Sequence, residues 1–112
     1  MKYCMIIVTF TDENEADRIV TELLDRKLIA CAQMQDIRSR YVWKGEQVRD
    51  REVLVFMKTK EALYSKVEEC VRDMHSYEVP EIIAVPIDKG LPEYLGWIDE
   101  NTSDFERNPK HS

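Results

Sequence analysis

The stretch Ile37-Arg38-Ser39-Arg40-Tyr41-Val42-Trp43-Lys44-Gly45-Glu46-Gln47-Val48 decides how this chain folds. Ile37, Ser39, Tyr41 and Trp43 alternate with Asp36, Arg38, Arg40 and Val42, the period of two that sends successive side chains to opposite faces of a strand. Gly45 accepts a positive φ without steric cost, so the chain reverses at Lys44-Gly45 and returns as a paired strand from Val48 to Met57. Each arm takes about a dozen residues, roughly 40 Å at the rise of a strand, which exceeds the usual strand in a domain of this size. The tip must project. A projecting pair carrying Tyr41, Val42 and Trp43 leaves apolar surface and open backbone edges in water unless another chain covers them. The hairpin therefore predicts an oligomer, with Tyr41, Trp43 and Gly45 at its interface, joined by Trp97 near the C-terminus.

Outward from the hairpin, Tyr3, Met5, Ile6, Ile7 and Val8 form an apolar, β-branched run that reads as a strand buried on both faces. Asp12 offers a helix cap with Glu15 three residues on, and Ala16, Ile19, Val20, Leu23 and Leu24 follow at helical spacing, with Leu28 closing the stripe. After Thr59, read as a second cap, Leu63, Val67, Cys70, Val71 and Met74 share one face of a helix that ends near His75. His75-Ser76-Tyr77-Glu78-Val79-Pro80 is a turn-like link. It leads to a fourth strand through Ile82, Ile83, Ala84, Val85 and Ile87, which Pro86 marks as an edge. Pro92 opens a short third helix with Tyr94, Leu95, Trp97 and Ile98. The order predicts an α+β, ferredoxin-like βαββαβ sandwich with a long central hairpin and a short C-terminal helix. Residues 1–102 make one domain and residues 103–112 a polar tail.

The 112 residues, 44% apolar and 34% charged, have the balance of one ordered globular domain. A net charge of −6 disfavours nucleic acid and anionic lipid as partners. The apolar run Met5 to Val8 is too short for a membrane span or a signal segment, so the expected location is the cytoplasm. Cys4, Cys31 and Cys70 are odd in number and widely spaced, as for free thiols in a reducing compartment.

The candidate chemistry is sparse. With only His75 and His111 as imidazoles, few nucleophile–base pairs are available, and no enzyme activity is expected. Cys31 and Cys70 fall on positions read as core-facing, where a thiol is an inert small hydrophobe. His75 with Asp73, Glu78 and Glu81 supplies one imidazole and several oxygens, without a compact metal-binding spacing. At a helix end its ring has a structural reading too. Three glycines cannot build a phosphate cradle, and no organic cofactor is expected. Arg38, Arg40, Lys44, Arg49 and Arg51, interleaved with Glu46, Asp50 and Glu52, read first as cross-strand ion pairs and second as an anion site. Tyr94 and Trp97 read as packing residues.

Four stretches carry a resemblance that reaches residues 5–100: Lys27-Leu28-Ile29-Ala30-Cys31-Ala32, Ser39-Arg40-Tyr41-Val42-Trp43-Lys44-Gly45, His75-Ser76-Tyr77-Glu78-Val79-Pro80-Glu81-Ile82 and Tyr94-Leu95-Gly96-Trp97-Ile98. Together, in this order, they resemble the CutA divalent-cation tolerance proteins. The resemblance implies a fold similar to that of PII signalling proteins, a cytoplasmic homotrimer joined through the long strands, and a link to tolerance of copper and other divalent metals. It also implies metal ligands at Cys31 and His75, to which the neighbouring carboxylate Glu78 is added from the sequence, with copper or another divalent metal held at low affinity. The chain departs from some members in carrying Val8 at the end of the first strand, Met74 before His75, and Ser76 where proline is common. An alternative reading is a trimeric sensor, similar to PII proteins, that holds an anionic ligand in the clefts between subunits. A third is a scaffold that contacts a partner protein through the tail.

Overall fold

The computed structural model describes residues 2–103, so the expected tail beyond Ser103 lies outside the described residues. The elements are β1 (Tyr3–Phe10), α1 (Glu13–Asp25), β2 (Cys31–Trp43), β3 (Glu46–Lys60), a 3-10 turn (Glu61–Leu63), α2 (Tyr64–Met74), β4 (Ile82–Ile87) and α3 (Pro92–Glu100). The strands form one antiparallel sheet in the order β2-β3-β1-β4. This is the α+β, βαββαβ arrangement that the sequence predicts.

Local chemistry sets the element ends. The Glu15 amide donates to Asp12 Oδ1 at 2.9 Å, which caps α1. At its other end Lys27 adopts φ 61, and the Leu28 amide donates to the Leu23 carbonyl at 3.0 Å, so Leu28 is folded back into the core. Lys44 (φ 51) and Gly45 (φ 81) make the two-residue turn of the hairpin, both in the left-handed region that a type I′ turn requires.

Register divides the sheet into two unlike faces. Cys4, Ile6, Val8 and Phe10 lie opposite Thr59, Met57, Val55 and Val53, and these pairs are buried with Ile19 and Leu23 of α1 and Val67 and Val71 of α2. Each fully buried aliphatic side chain here contributes about 1.5–3 kcal/mol. On the other face Met5 lies between Lys58 and Val85, and Ile7 between Phe56 and Ile83. No helix covers the middle of that row, and Ile83 and Val85 are 49% and 41% exposed. The expectation that the first strand is buried on both faces is thus corrected: α1 and α2 cover one face only, and Tyr3, Met5 and Ile7 are half-buried. The helix α3 closes just one end of the open face, with Ile98 buried and the Lys60 ammonium 3.2 Å from Asp99 Oδ1.

Two further expectations change. Thr59 is not a helix cap. β3 runs on to Lys60, and the buried Thr59 hydroxyl donates to the Leu28 carbonyl at 2.6 Å, leaving the following turn without a side-chain cap. Leu24 lies beside, not within, the buried stripe of α1 and is 41% exposed, because a step of one residue turns a helical side chain through about 100°.

Candidate functional site

The segment joining α2 to β4 crosses the end of β1, and His75 fastens it there. Phe10 is the last residue of β1, and the His75 ring stacks on it at 5.1 Å, with Tyr77 at 5.0 Å on a tilt. The His75 side chain is fully buried. Its Nε2 lies 2.7 Å from the Thr9 carbonyl, which accepts only, so Nε2 carries the proton. Its Nδ1 accepts the Tyr77 amide at 3.0 Å, which occupies the remaining lone pair.

Glu15 does the same work from α1. Its Oε1 accepts the Thr11 amide at 2.8 Å and its Oε2 accepts the Ser76 amide at 2.7 Å. Burial pushes the Glu15 carboxyl up, but the hydrogen bonds from Thr11 and Ser76 outweigh it and hold the group below the ordinary carboxylate range. The capping pattern Asp12…Glu15 is legible in the sequence; the second bond, 61 residues along the chain, is not.

Beyond this anchor, residues 76–81 and the outer half of the hairpin enclose an open cleft of about 750 Å³. Its walls include Thr9, Tyr41, Trp43, Glu52, Tyr77, Glu78 and Glu81. The Tyr77 hydroxyl donates to Glu52 Oε2 at 2.8 Å, and burial together with this carboxylate pushes the phenol up to about 12. Glu52 is buried, whereas Glu78 and Glu81 are exposed. The cleft therefore offers oxygen donors at its rim and a closed phenol–carboxylate pair in its wall.

A divalent cation was expected at His75, Cys31 and Glu78. As folded, His75 has no lone pair for a metal, since a ligating imidazole must present one unprotonated nitrogen. Cys31 stands at the level of Lys58, while Thr9, which holds His75, stands at the level of Leu54. Four residues of β3 separate them, about 13 Å at the rise of a strand. Glu78 lines the cleft and does not join Cys31. Among the described residues no group of three or more His, Cys, Asp or Glu side chains is arranged to hold a metal. The donor set of a single chain does not fit a specific metal centre.

Cys31 itself departs from the core-facing reading. Ala32, opposite Met57, is the first β2 residue on the helix-covered face, so Cys31, opposite Lys58, turns to the open face and is half-buried. There its Sγ lies 3.7 Å from the Tyr94 hydroxyl in a hydrogen bond. Tyr94 in turn stacks on Trp97 at 5.6 Å, both rings 40% exposed. Cys4 and Cys70 are buried, where burial raises both thiols.

The oligomer candidates cluster on the hairpin, with Trp97 apart on α3. Tyr41 and Trp43 share the open face, 37% and 41% exposed, and Gly45 makes the turn. The cross-strand ion pairs expected along the hairpin do not form. Register sets Arg38 opposite Arg51 and Arg40 opposite Arg49, and none of the four takes part in an ion pair among the described residues. Reading charge order along the strands gave alternation, and only the pairing register shows which charges meet.

The comparisons with known proteins agree with one another. The family model described as CutA1 divalent ion tolerance protein matches residues 4–101. The divalent-cation tolerance protein CutA of Pyrococcus horikoshii is 40% identical over 100 residues, covering 88% of this chain and 98% of that protein. The human protein CutA is 38% identical over 96 residues, 85% of this chain and 54% of its own length. Among solved structures, the periplasmic divalent cation tolerance protein CutA of Archaeoglobus fulgidus superposes with a TM-score of 0.89 at 38% identity, over 90% of this chain and 99% of that one. CutA1 of Oryza sativa gives 0.89 at 33% identity, over 93% and 96%. No helix among the described residues is long and apolar enough to cross a membrane. With the motifs, the fold and these matches covering the same residues, the chain belongs to the CutA1 divalent ion tolerance protein family.

Proposed function

We propose that the protein serves divalent-cation tolerance without catalysing a reaction, as a homotrimer in the cytoplasm that contacts ions weakly through exposed side chains. The observation that carries this reading is the half of the sheet left uncovered in a single chain. The open row Met5, Ile7, Phe56, Ile83 and Val85 and the exposed edge strand β2 need apolar and backbone partners that a second copy supplies. Three copies is the number that the family resemblance implies. The 750 Å³ cleft opens beside this face, so a neighbouring copy would complete its walls.

Within this reading His75 is a positioning residue. It holds residues 76–81, and with them Glu78 and Glu81, at the cleft rim. Carboxylates without an imidazole hold a borderline divalent ion such as Cu(II) or Zn(II) only weakly, while a soft monovalent ion suits the Cys31 thiol. Calorimetric titration of Cu(II) and Zn(II) into the assembled protein tests this. Weak binding that falls several-fold in Glu78→Gln is expected, and an isotherm identical to that of wild type would remove Glu78 from any ion contact.

A further inference from the structure

The outer half of the hairpin carries a charge arrangement that the single chain leaves without ion pairs among the described residues. Arg38 and Arg40 on β2 face Arg51 and Arg49 on β3, so four exposed guanidiniums crowd one face. Like charges set directly opposite on a strand pair destabilise it. The chain has a net charge of −6, yet among the described residues no carboxylate forms an ion pair with these arginines. Asp50 and Glu52 stand on the other face, where the Tyr41 hydroxyl donates to Asp50 Oδ2 at 2.7 Å and the Tyr77 hydroxyl to Glu52 Oε2 at 2.8 Å. Asp36, opposite Val53, does share the arginine face, and it makes no ion pair with the arginines. A hollow of about 660 Å³ lies here, lined by the four arginines with Ser39 and Asp50.

We propose that this face binds a compact multivalent anion with linked phosphate groups. Opposed residues have Cβ atoms about 5 Å apart, and the next pair on the same face lies about 7 Å along the strands, so the four arginine side chains spring from a patch about 5 by 7 Å and can reach one anion together. Guanidinium forks match phosphate oxygens two at a time. A single carboxylate would leave most of the positive charge uncompensated; an anion of three or four negative charges cancels it. The inference uses other residues than the metal reading, although Arg40 also lines the cleft that Glu78 and Glu81 rim.

The test is calorimetry and thermal denaturation of the full chain at low ionic strength, with tripolyphosphate and ATP as probes. Wild type is expected to bind tripolyphosphate and to gain thermal stability from it. The Arg38→Gln/Arg40→Gln variant and, independently, the Arg49→Gln/Arg51→Gln variant should each bind at least tenfold more weakly, while melting no lower than wild type without ligand because opposed like charges are relieved. Asp36→Asn should bind more tightly. Equal affinities for ATP and tripolyphosphate assign the site to linked phosphates in general, and ATP bound tenfold more tightly assigns it to a nucleotide. Three results overturn the proposal: no binding by wild type, unchanged binding by both double variants, or double variants that melt lower and lose their oligomer, which would show the arginines pairing with a second copy.

Discussion

The two halves of the sheet obey opposite rules. Where α1 and α2 cover β1 and β3, side chains such as Ile6, Val8, Val55 and Met57 are wholly buried and the chain completes its own packing. Along β2, the hairpin tip and the open face, every β2 residue keeps some exposure, the rings of Tyr41, Trp43, Tyr94 and Trp97 stay partly exposed, and four arginines make no ion pair among the described residues. One half is finished by folding. The other is finished by whatever the protein meets, and the cleft and the arginine face both lie in that second half.

Truncation inside the finished half should have the largest effect. Ile6→Ala removes a fully buried side chain and is expected to cost about 2–5 kcal/mol, read from urea unfolding. The matched change Ile83→Ala on the open face should cost well under this in a dilute, dissociated chain and approach it only when copies cover Ile83. Equal costs at every concentration would break the contrast.

A charge on the open face is the sharper instrument. Val85→Asp should dissociate the assembly while leaving the far-ultraviolet dichroism of the fold intact, because Val85 is 41% exposed in the single chain and packs under no helix. An unfolded variant would mean that the open face belongs to the core after all.

Glu15 lies in the finished half and holds the cleft segment to it. Glu15→Gln should cost about 1–3 kcal/mol, since the amides of Thr11 and Ser76 lose a charged acceptor. The Glu15 carboxyl is held below its ordinary value, 4.5, so its contribution is fully present above that pH and is lost as pH falls through the lower folded value. Wild type should therefore lose stability below about pH 4.5 more steeply than Glu15→Gln, and parallel curves would contradict the assignment.

The sequence made the covered half legible because its signals are local. An apolar run placed β1, helical periodicity placed α1 and α2, Pro92 opened α3, and Asp12 and Gly45 marked a helix start and a hairpin turn. The site was legible only in outline. His75 was found by residue type, but its engagement depends on Thr9, Phe10 and Glu15, which meet it only after β1 and α2 pack. Cys31 was assigned to the wrong face because its strand begins one residue out of phase with the apolar run that precedes it. The arginine lattice was hidden for a related reason: alternation gives the faces of each strand, and register alone gives the pairs.

The smallest effect lies at the hairpin tip. Lys44 sits at φ 51, which costs a residue with a long side chain about 1 kcal/mol more than it costs glycine, so Lys44→Gly should raise the unfolding free energy by several tenths of a kcal/mol. A loss would show that the Lys44 ammonium over the Trp43 ring, 5.8 Å from its centre, matters more than the backbone.

Sedimentation velocity over a range of low-micromolar concentrations tests most directly the claim that the uncovered half is completed by copies of the same chain. The account predicts a single species of three times the 13.3 kDa chain mass, which Val85→Asp shifts toward the monomer. A wild-type species of 13.3 kDa, stable and folded at every concentration, would contradict it.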